Sequence, residues 1–184
     1  VLRKYEKLNH IGGIVFSEEN EKLRNLFKLI NKEIVQRKKI FSDFGGEYNN
    51  YISQSGKKLP LISIIINNYD AFIETNQTMY DELASMTRDC ERYGIIFIIT
   101  CNGSSSISRR ISQNFETIFA LHFNDSADYY NIFSSRNKLT PQNITGRGLI
   151  CDEDVHEFQT SSIVEEIKLN QFIQNEIERL NQAN

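Results

Sequence analysis

The fold is decided by the stretch Leu61-Ile62-Ser63-Ile64-Ile65-Ile66-Asn67-Asn68, an apolar run that stops at two side-chain amides. A continuous apolar run of this length is typical of a strand buried on both faces of a parallel sheet. A second such run follows at Ile95-Ile96-Phe97-Ile98-Ile99-Thr100. Between them, residues 78–93 carry apolar side chains at helical spacing, and Gly94 ends that helix. The succession predicts a right-handed βαβ unit.

A long amphipathic helix precedes this unit. Apolar residues recur at three- and four-residue steps from Ser17 to Phe41, and the residues 17–20 can cap its start. Its basic residues predict a solvated polar face: Lys22, Arg24, Lys28, Lys32, Arg37 and Lys38. Before it, 12–16 is a candidate strand, and after it a turn-rich loop contains a short helix around 48–53.

The second half of the chain shows a weaker alternation of strand and helix patterns. We expect a third strand at 118–123, a helix at 126–134 and a closing helix at 164–180. The segments 149–151 and 156–160 are interpreted as a hairpin around the acidic turn 152–154. Six aromatic residues of this half are expected in the core, and the alternative for a minority of them is to line an exposed apolar groove. They are Phe115, Phe119, Phe123, Tyr129, Tyr130 and Phe133.

Composition narrows the class of protein. The 184 residues predict one domain spanning 1–184, with a net charge of -3 and no basic run, which disfavours a nucleic-acid groove. The three cysteines show no metal-binding spacing and suit a reducing cytosol. Apolar runs are too short to span a bilayer, so a soluble domain is expected. No metal site is predicted, and His10, His122 and His156 are interpreted as structural.

The predicted sheet also says where a ligand would bind. In a doubly wound α/β sheet, ligands lie beyond the carboxyl ends of the strands. Those ends are Asn67-Asn68 for the first buried strand and Thr100-Cys101-Asn102 for the second. We therefore expect any chemistry at these two positions.

An ordered set of short motifs resembles the FtsK/SpoIIIE superfamily. It includes Glu33-Ile34-x-x-Arg37-Lys38-x-x-Phe41, the strand that ends in Asn67-Asn68 and continues to Tyr69-Asp70-Ala71-Phe72, and Tyr93-Gly94-Ile95. It continues with Gln113-Asn114-Phe115, Asn124-Asp125-Ser126, Gly146-Arg147-Gly148-Leu149-Ile150 and Glu157-Phe158-Gln159. The likeness covers roughly 10–159 and is greatest to the C-terminal ATPase modules of EssC/YukB-type proteins, the membrane-anchored motors of Gram-positive type VII secretion.

The resemblance implies an α/β fold, with a three-layer RecA-like P-loop NTPase core and a mainly parallel sheet. Members of the family use ATP and Mg²⁺, and their module begins with a strand, a P-loop and a helix. No G-x-x-x-x-G-K-[ST] motif occurs in this sequence. Because the loop amides and lysine hold the phosphates, this chain is expected to bind no nucleotide itself. We expect the P-loop part to lie upstream of Val1; a naturally divergent chain is the alternative.

A second departure from the family concerns acid groups. The family's Walker B strand ends in acidic residues that hold the magnesium shell and polarise the attacking water. The matching positions here are Asn67 and Asn68. An uncharged amide cannot act as a general base, so hydrolysis is expected to be lost. Asp70 falls outside the matching position and is interpreted as a loop or helix-cap residue.

Other positions are candidates through the resemblance. Thr100 matches the sensor position and, with Asn67 and Asn68, is a nucleotide-binding candidate; a strand-terminal Thr bonding the loop is the alternative. Arg109 and Arg110 are possible arginine fingers for a neighbouring subunit, or a solvent-exposed pair. Arg147 is expected to serve turn geometry and a local ion pair. Cys101 lacks an evident His partner for a nucleophile.

These observations predict a degenerate ATPase-fold module of a type VII secretion motor, acting in substrate docking and inter-module coupling at the cytoplasmic face of the membrane. Its expected partners are neighbouring modules of the same parent chain and small helical secreted substrates, with oligomerisation possible and no nucleic acid. The alternatives are a functional ATP-hydrolysing module of the same motor, or a DNA translocase domain.

Overall fold

The computed structural model describes residues 2–133, 139–151, 154–162 and 164–182. Its helices are α1 (Asn20–Phe41), α2 (Tyr48–Ser55), α3 (Tyr69–Thr75), α4 (Tyr80–Asp89), α5 (Arg109–Ser112), α6 (Ser126–Phe133) and α7 (Leu169–Gln182). Its strands are β1 (Ile62–Ile66), β2 (Ile95–Ile99), β3 (Phe119–Leu121), β4 (Arg147–Cys151) and β5 (Val155–Gln159). Short 3₁₀ segments include Leu2–Lys7, Gln77–Met79 and Glu91–Tyr93.

The predicted βαβ unit is confirmed. Strands β1 and β2 pair in parallel, with Ile62 opposite Ile95 and Ile66 opposite Ile99. The periodicity predicts one helix over 78–93 between these strands. The connection instead contains two helices, α3 and α4, and a 3₁₀ turn lies on each side of α4. The register brings the two strand ends, 66–68 and 99–101, to the same edge of the sheet.

The expectation that both strands are buried on both faces is wrong. Their alternate residues Ile64, Ile66, Ile95 and Phe97 pack in or against a core formed with α1 and α4. The other face exposes Ile65 (65%) and Ile98 (48%), together with Ile96. The crossover helices lie on one face only, and in the described residues no second layer covers the other.

The third strand does not extend the parallel sheet of β1 and β2. Strand β3 is antiparallel to β4, and β4 is antiparallel to β5, with Ala120 opposite Leu149 and Leu149 opposite Glu157. The predicted hairpin is thus confirmed, although residues 152–153 of its acidic turn lie outside the described residues. Helix α6 packs Tyr129 and Phe133 onto this sheet in a second hydrophobic cluster. The predicted end of that helix, Ser134, also lies outside the described residues.

Helix α1 begins three residues later than predicted, at Asn20. The N-cap residue is Glu19, whose side chain caps no helical N–H; its carboxylate accepts instead from the Phe16 backbone N–H at 2.8 Å. The segment 12–16 forms no strand. Helix α7 begins at Leu169, later than the predicted 164, and its Asn181 side chain donates to the Lys7 carbonyl at 2.7 Å. Every helix in the described residues is too short or too polar to span a bilayer.

Candidate functional site

The polar ends of β1 and β2 meet, as the sequence predicts. The Thr100 hydroxyl donates to Asn67 Oδ1 at 3.1 Å and accepts from the Asn68 backbone N–H at 2.9 Å. All three residues are exposed. The structure therefore brings Asn67, Asn68 and Thr100 into one open network of neutral hydrogen-bonding groups.

Asn68 has an unusual backbone conformation. Its φ of 62° and ψ of 72° lie in the left-handed region. In the described part of the chain no other non-glycine residue has a positive φ. Asparagine tolerates this region better than most residues because its short side chain bonds locally. Here Asn68 Oδ1 accepts from the Ala71 N–H at 3.4 Å and caps α3. The Asn68 amide is thus used in starting a helix.

Asp70 is the carboxylate nearest to this network in sequence, and it holds the loop that follows β2. Asp70 Oδ2 accepts from the Asn102 backbone N–H at 3.0 Å. The Ser106 side chain lowers the pKa of Asp70 most; burial opposes this with a smaller effect, and the Asn102 N–H lowers the pKa further. Asp70 is therefore an ionised loop-holding residue.

The two arginines of α5 are exposed, as the solvent-exposed alternative predicts. Arg110 forms an ion pair with Asp81, and its guanidinium lies 5.8 Å from the centre of the Tyr80 ring. Within one chain these contacts keep Arg110 on the surface of α4. The arginine-finger role concerns a neighbouring subunit and stays a prediction for both Arg109 and Arg110.

Cys101 follows Thr100 at the end of β2, and its surroundings disfavour the thiolate. Burial, and then the negative charge of Asp70, raise the pKa of the Cys101 thiol. A raised pKa reduces the thiolate fraction, which is the reactive form. Among the described residues no group of three His, Cys, Asp or Glu side chains is placed to hold a metal ion.

The expectation that Arg37 lies on a solvated face is wrong. Its side chain is 1% exposed and bonds to Glu33 at 2.7 Å. The guanidinium also donates to the backbone carbonyls of Pro60 at 2.9 Å and Tyr93 at 2.8 Å. Arg37 thereby fixes the segments that enter β1 and β2. The signal in the sequence was its position in the series 30, 34, 37, 41, which follows the apolar stripe of α1.

The Gly146-Arg147-Gly148 motif serves the hairpin, as expected. Arg147 bonds to Gln159 Oε1 at 3.2 Å and pairs with Glu157 at 3.6 Å. A Cβ on Gly148 would lie 2.6 Å from the Ala120 carbonyl oxygen, so only glycine lets β3 and β4 approach here. The motif is explained by sheet geometry.

Sequence reasoning missed the organisation of the loop after β2. Ser104 Oγ donates to Asp128 Oδ1 at 2.5 Å, and Ser108 Oγ lies 2.5 Å from Tyr80 Oη. These partners are 24 and 28 residues away in the chain, so no local pattern reveals them. The loop was expected only to be polar with a short helix, which α5 confirms.

The sequence relatives of the chain are type VII secretion proteins, which confirms the predicted resemblance. YukB of Bacillus subtilis is 25% identical over 151 residues, covering 82% of this chain and 10% of YukB. EssC of Staphylococcus aureus strain MRSA252 is 26% identical over 177 residues, covering 93% of this chain and 12% of EssC. The chain thus spans about a tenth of the length of these relatives. No family model matches the chain.

Solved structures show the fold. EssC (ATPases 2 and 3) from Geobacillus thermodenitrificans has a TM-score of 0.88 at 24% identity, over 99% of this chain and 36% of that one. EccC (ATPases 2 and 3) of Thermomonospora curvata, in complex with a signal sequence peptide, has a TM-score of 0.81 at 16% identity, over 100% and 35%. The conjugation coupling protein TcpA with ATPγS has a TM-score of 0.73 at 22% identity, over 97% of this chain and 52% of that one. The predicted fold class, that of P-loop ATPase domains, is confirmed.

Proposed function

We propose that this chain is a catalytically degenerate ATPase-fold module of a type VII secretion motor. It contributes to substrate docking and to coupling between modules, and it does not hydrolyse ATP. The proposal is carried by the carboxyl end of β1, where Asn67 and Asn68 stand at the position that the family resemblance assigns to acidic residues. Similarity to EssC, YukB and EccC supports the secretion context.

The chemistry of the strand end supports the loss of hydrolysis. Asn67 Oδ1 already accepts from Thr100, and an amide oxygen carries no charge to hold a magnesium shell. It also cannot take a proton from an attacking water. Asp70 does not replace the missing acid, because its carboxylate is engaged by the Asn102 N–H and by Ser106.

Nucleotide binding by these 184 residues is lost for a second reason. The chain contains no P-loop sequence, and hence no cradle of backbone amides with a phosphate-binding lysine. In this proposal ATP and Mg²⁺ belong to the parent family, while Asn67, Asn68 and Thr100 mark the place of a former nucleotide site.

The docking role is supported by exposed apolar surface. Ile65, Ile96 and Ile98 form an uncovered sheet face, and an amphipathic helix that lays its apolar side on such a surface is a known recognition mode. Phe119 and Leu121 are exposed on β3, on the face opposite Ala120 and α6. Tyr130 is exposed on α6 and thus belongs to a different surface.

The proposed partners follow from this surface. They are neighbouring ATPase modules of the parent chain and small helical secreted substrates, met at the cytoplasmic face of the membrane. In the Thermomonospora curvata EccC structure a signal sequence peptide is bound, which supports substrate contact in this fold. The net charge of -3 disfavours nucleic acid as the partner.

ATP hydrolysis tests the proposal. The P-loop-bearing segment of a matched relative is joined ahead of this chain, and phosphate release is compared with that of the relative's own intact module. We expect release at the background level, because the strand end lacks a carboxylate. Turnover close to that of the intact module would overturn the proposal. Urea unfolding of the chimera in parallel establishes that it is folded.

The second candidate is a working module of the same motor. It is favoured by the fold match to TcpA with ATPγS, and in it Asn67 would place magnesium through a water molecule. It predicts measurable turnover by the same chimera. A DNA translocase, the third reading, predicts duplex binding that weakens steeply with salt.

A further inference from the structure

The loop between β2 and α5 is bonded to side chains of three helices. We call residues 102–108 the serine strap. Its Asn102 N–H bonds to Asp70 on α3, its Ser104 hydroxyl to Asp128 on α6 and its Ser108 hydroxyl to Tyr80 on α4. A surface loop without a positional role has no reason to bond in this way along its length.

Two of these bonds tie the strap to helices of the first hydrophobic cluster. The Asn102 N–H donates to Asp70 Oδ2 at 3.0 Å. Ser108 Oγ lies 2.5 Å from Tyr80 Oη on α4. The strap therefore rests on α3 and α4, which pack on the parallel strands.

The remaining bonds reach the second cluster. Ser104 Oγ donates to Asp128 Oδ1 at 2.5 Å and accepts from Asn131 Nδ2 at 3.5 Å, both on α6. The two hydrophobic clusters share no residue, and α6 supplies Tyr129 and Phe133 to the second. Ser104 is thus a polar link between parts of the molecule with separate cores.

The strap begins two residues after the amide network. Thr100 bonds to Asn67 and Asn68, and the Tyr69 N–H donates to the Thr100 carbonyl at 2.8 Å. We propose that the serine strap couples the Asn67–Asn68–Thr100 network to the α6 cluster through Ser104 and Asp128, so that a partner that displaces Thr100 also moves Asn102 and, through Ser104, α6. This deepens the proposed coupling role and rests on it.

Hydrogen exchange of the 184-residue chain tests the coupling. Thr100→Val removes the hydroxyl from the amide network, and exchange is read at residues 127–133 of α6. We expect exchange there to accelerate about threefold, less than the loss of one complete hydrogen bond would give. In the Ser104→Ala background, where the link is cut, Thr100→Val should accelerate it no further.

Ser108→Ala is the matched control, because it removes a strap hydroxyl whose partner lies on α4. In that background Thr100→Val should still act on α6. The proposal is overturned if Thr100→Val leaves α6 exchange unchanged, or if its effect is the same with and without Ser104. Exchange at β1 and β2 reports any general loss of stability, so the acceleration at α6 is taken relative to it, and a cooperative urea transition shows that each variant is folded. Since no nucleotide is added, this result is independent of the hydrolysis test.

Discussion

The two ends of the β1–β2 pair are built in opposite ways. At the amino end, the buried Arg37 donates to backbone carbonyls of Pro60 and Tyr93, and the Ile62 N–H bonds to the Gly94 carbonyl at 3.0 Å. At the carboxyl end, Asn67, Asn68 and Thr100 bond to one another in solvent. The amino end is therefore held by a buried charged side chain, and the carboxyl end consists of exposed, uncharged polar groups.

This difference separates stability from function along the same two strands. A buried guanidinium is stable only when its donors are paired, so the amino end tolerates little change. Exposed neutral groups contribute little to folding and are available to a partner. We therefore expect substitutions at the amino end to unfold the chain and those at the carboxyl end to change what it binds.

The largest effect is expected for Arg37→Met. It leaves the main-chain carbonyls of Pro60 and Tyr93, and the Glu33 carboxylate, without the guanidinium donor. The free energy of unfolding should fall by about 3 kcal/mol. The low end of the usual range applies because Glu33 is partly exposed. Urea denaturation measures the change. Lys38→Met, on the exposed neighbour, should stay within about 0.5 kcal/mol; equal losses for the two variants would break the comparison.

A smaller effect is expected for Gly94→Ala, also at the amino end. Gly94 has φ of 68°, and an added Cβ would lie 2.5 Å from the Tyr48 ring. We expect a loss of about 2–3 kcal/mol from backbone strain and overpacking together. Gly56→Ala has nearly the same φ, 65°, but an open surrounding, and should cost only about 1 kcal/mol. Thermal or urea unfolding of the pair isolates the contact with Tyr48, and an equal cost would show that this contact is loose.

At the carboxyl end, Thr100→Val should cost about 1 kcal/mol. It removes bonds to the Asn67 side chain and the Asn68 N–H, both in solvent. Thr78→Val, at another exposed threonine, should change stability by less than about 0.5 kcal/mol. A loss as large as that of Arg37→Met would mean that the open end also holds the fold.

The smallest effect is a pH dependence at Asp70. Its pKa is lowered in the folded chain by Ser106 and Asn102, so the stabilisation is complete above the unfolded value of about 3.9 and is lost as pH falls through the folded value. Asp70→Asn should therefore flatten the decline of the urea midpoint below about pH 4. Parallel declines in the two proteins would show that Asp70 is not stabilised by these bonds.

Much of the fold could be predicted from local pattern. The apolar runs located β1 and β2, and helical spacing located α1 and α4, because burial of one face imposes a period on the sequence. The pattern could not show what covers a face. It therefore placed Ile65 and Ile98 in the core and Arg37 in solvent, both wrongly.

The candidate site could be predicted in position but not in detail. Asn67 and Thr100 meet because carboxyl ends of neighbouring parallel strands lie at one edge, and the register places Ile66 opposite Ile99. The left-handed conformation of Asn68 and the bond between Ser104 and Asp128 were missed. The Ser104–Asp128 bond joins residues 24 positions apart, and the Asn68 N–H bonds to Thr100 on the neighbouring strand, so neither contact follows from local pattern alone.

Calorimetric titration of ATP with Mg²⁺ into the chimera that carries a relative's P-loop segment tests the central claim most directly. The chimera with Asn67 unchanged should show weak or no binding, and Asn67→Asp should increase the affinity at least about tenfold by returning a carboxylate to the magnesium shell. Tight binding with Asn67 in place, unchanged by Asn67→Asp, would contradict the account of a degenerate strand end.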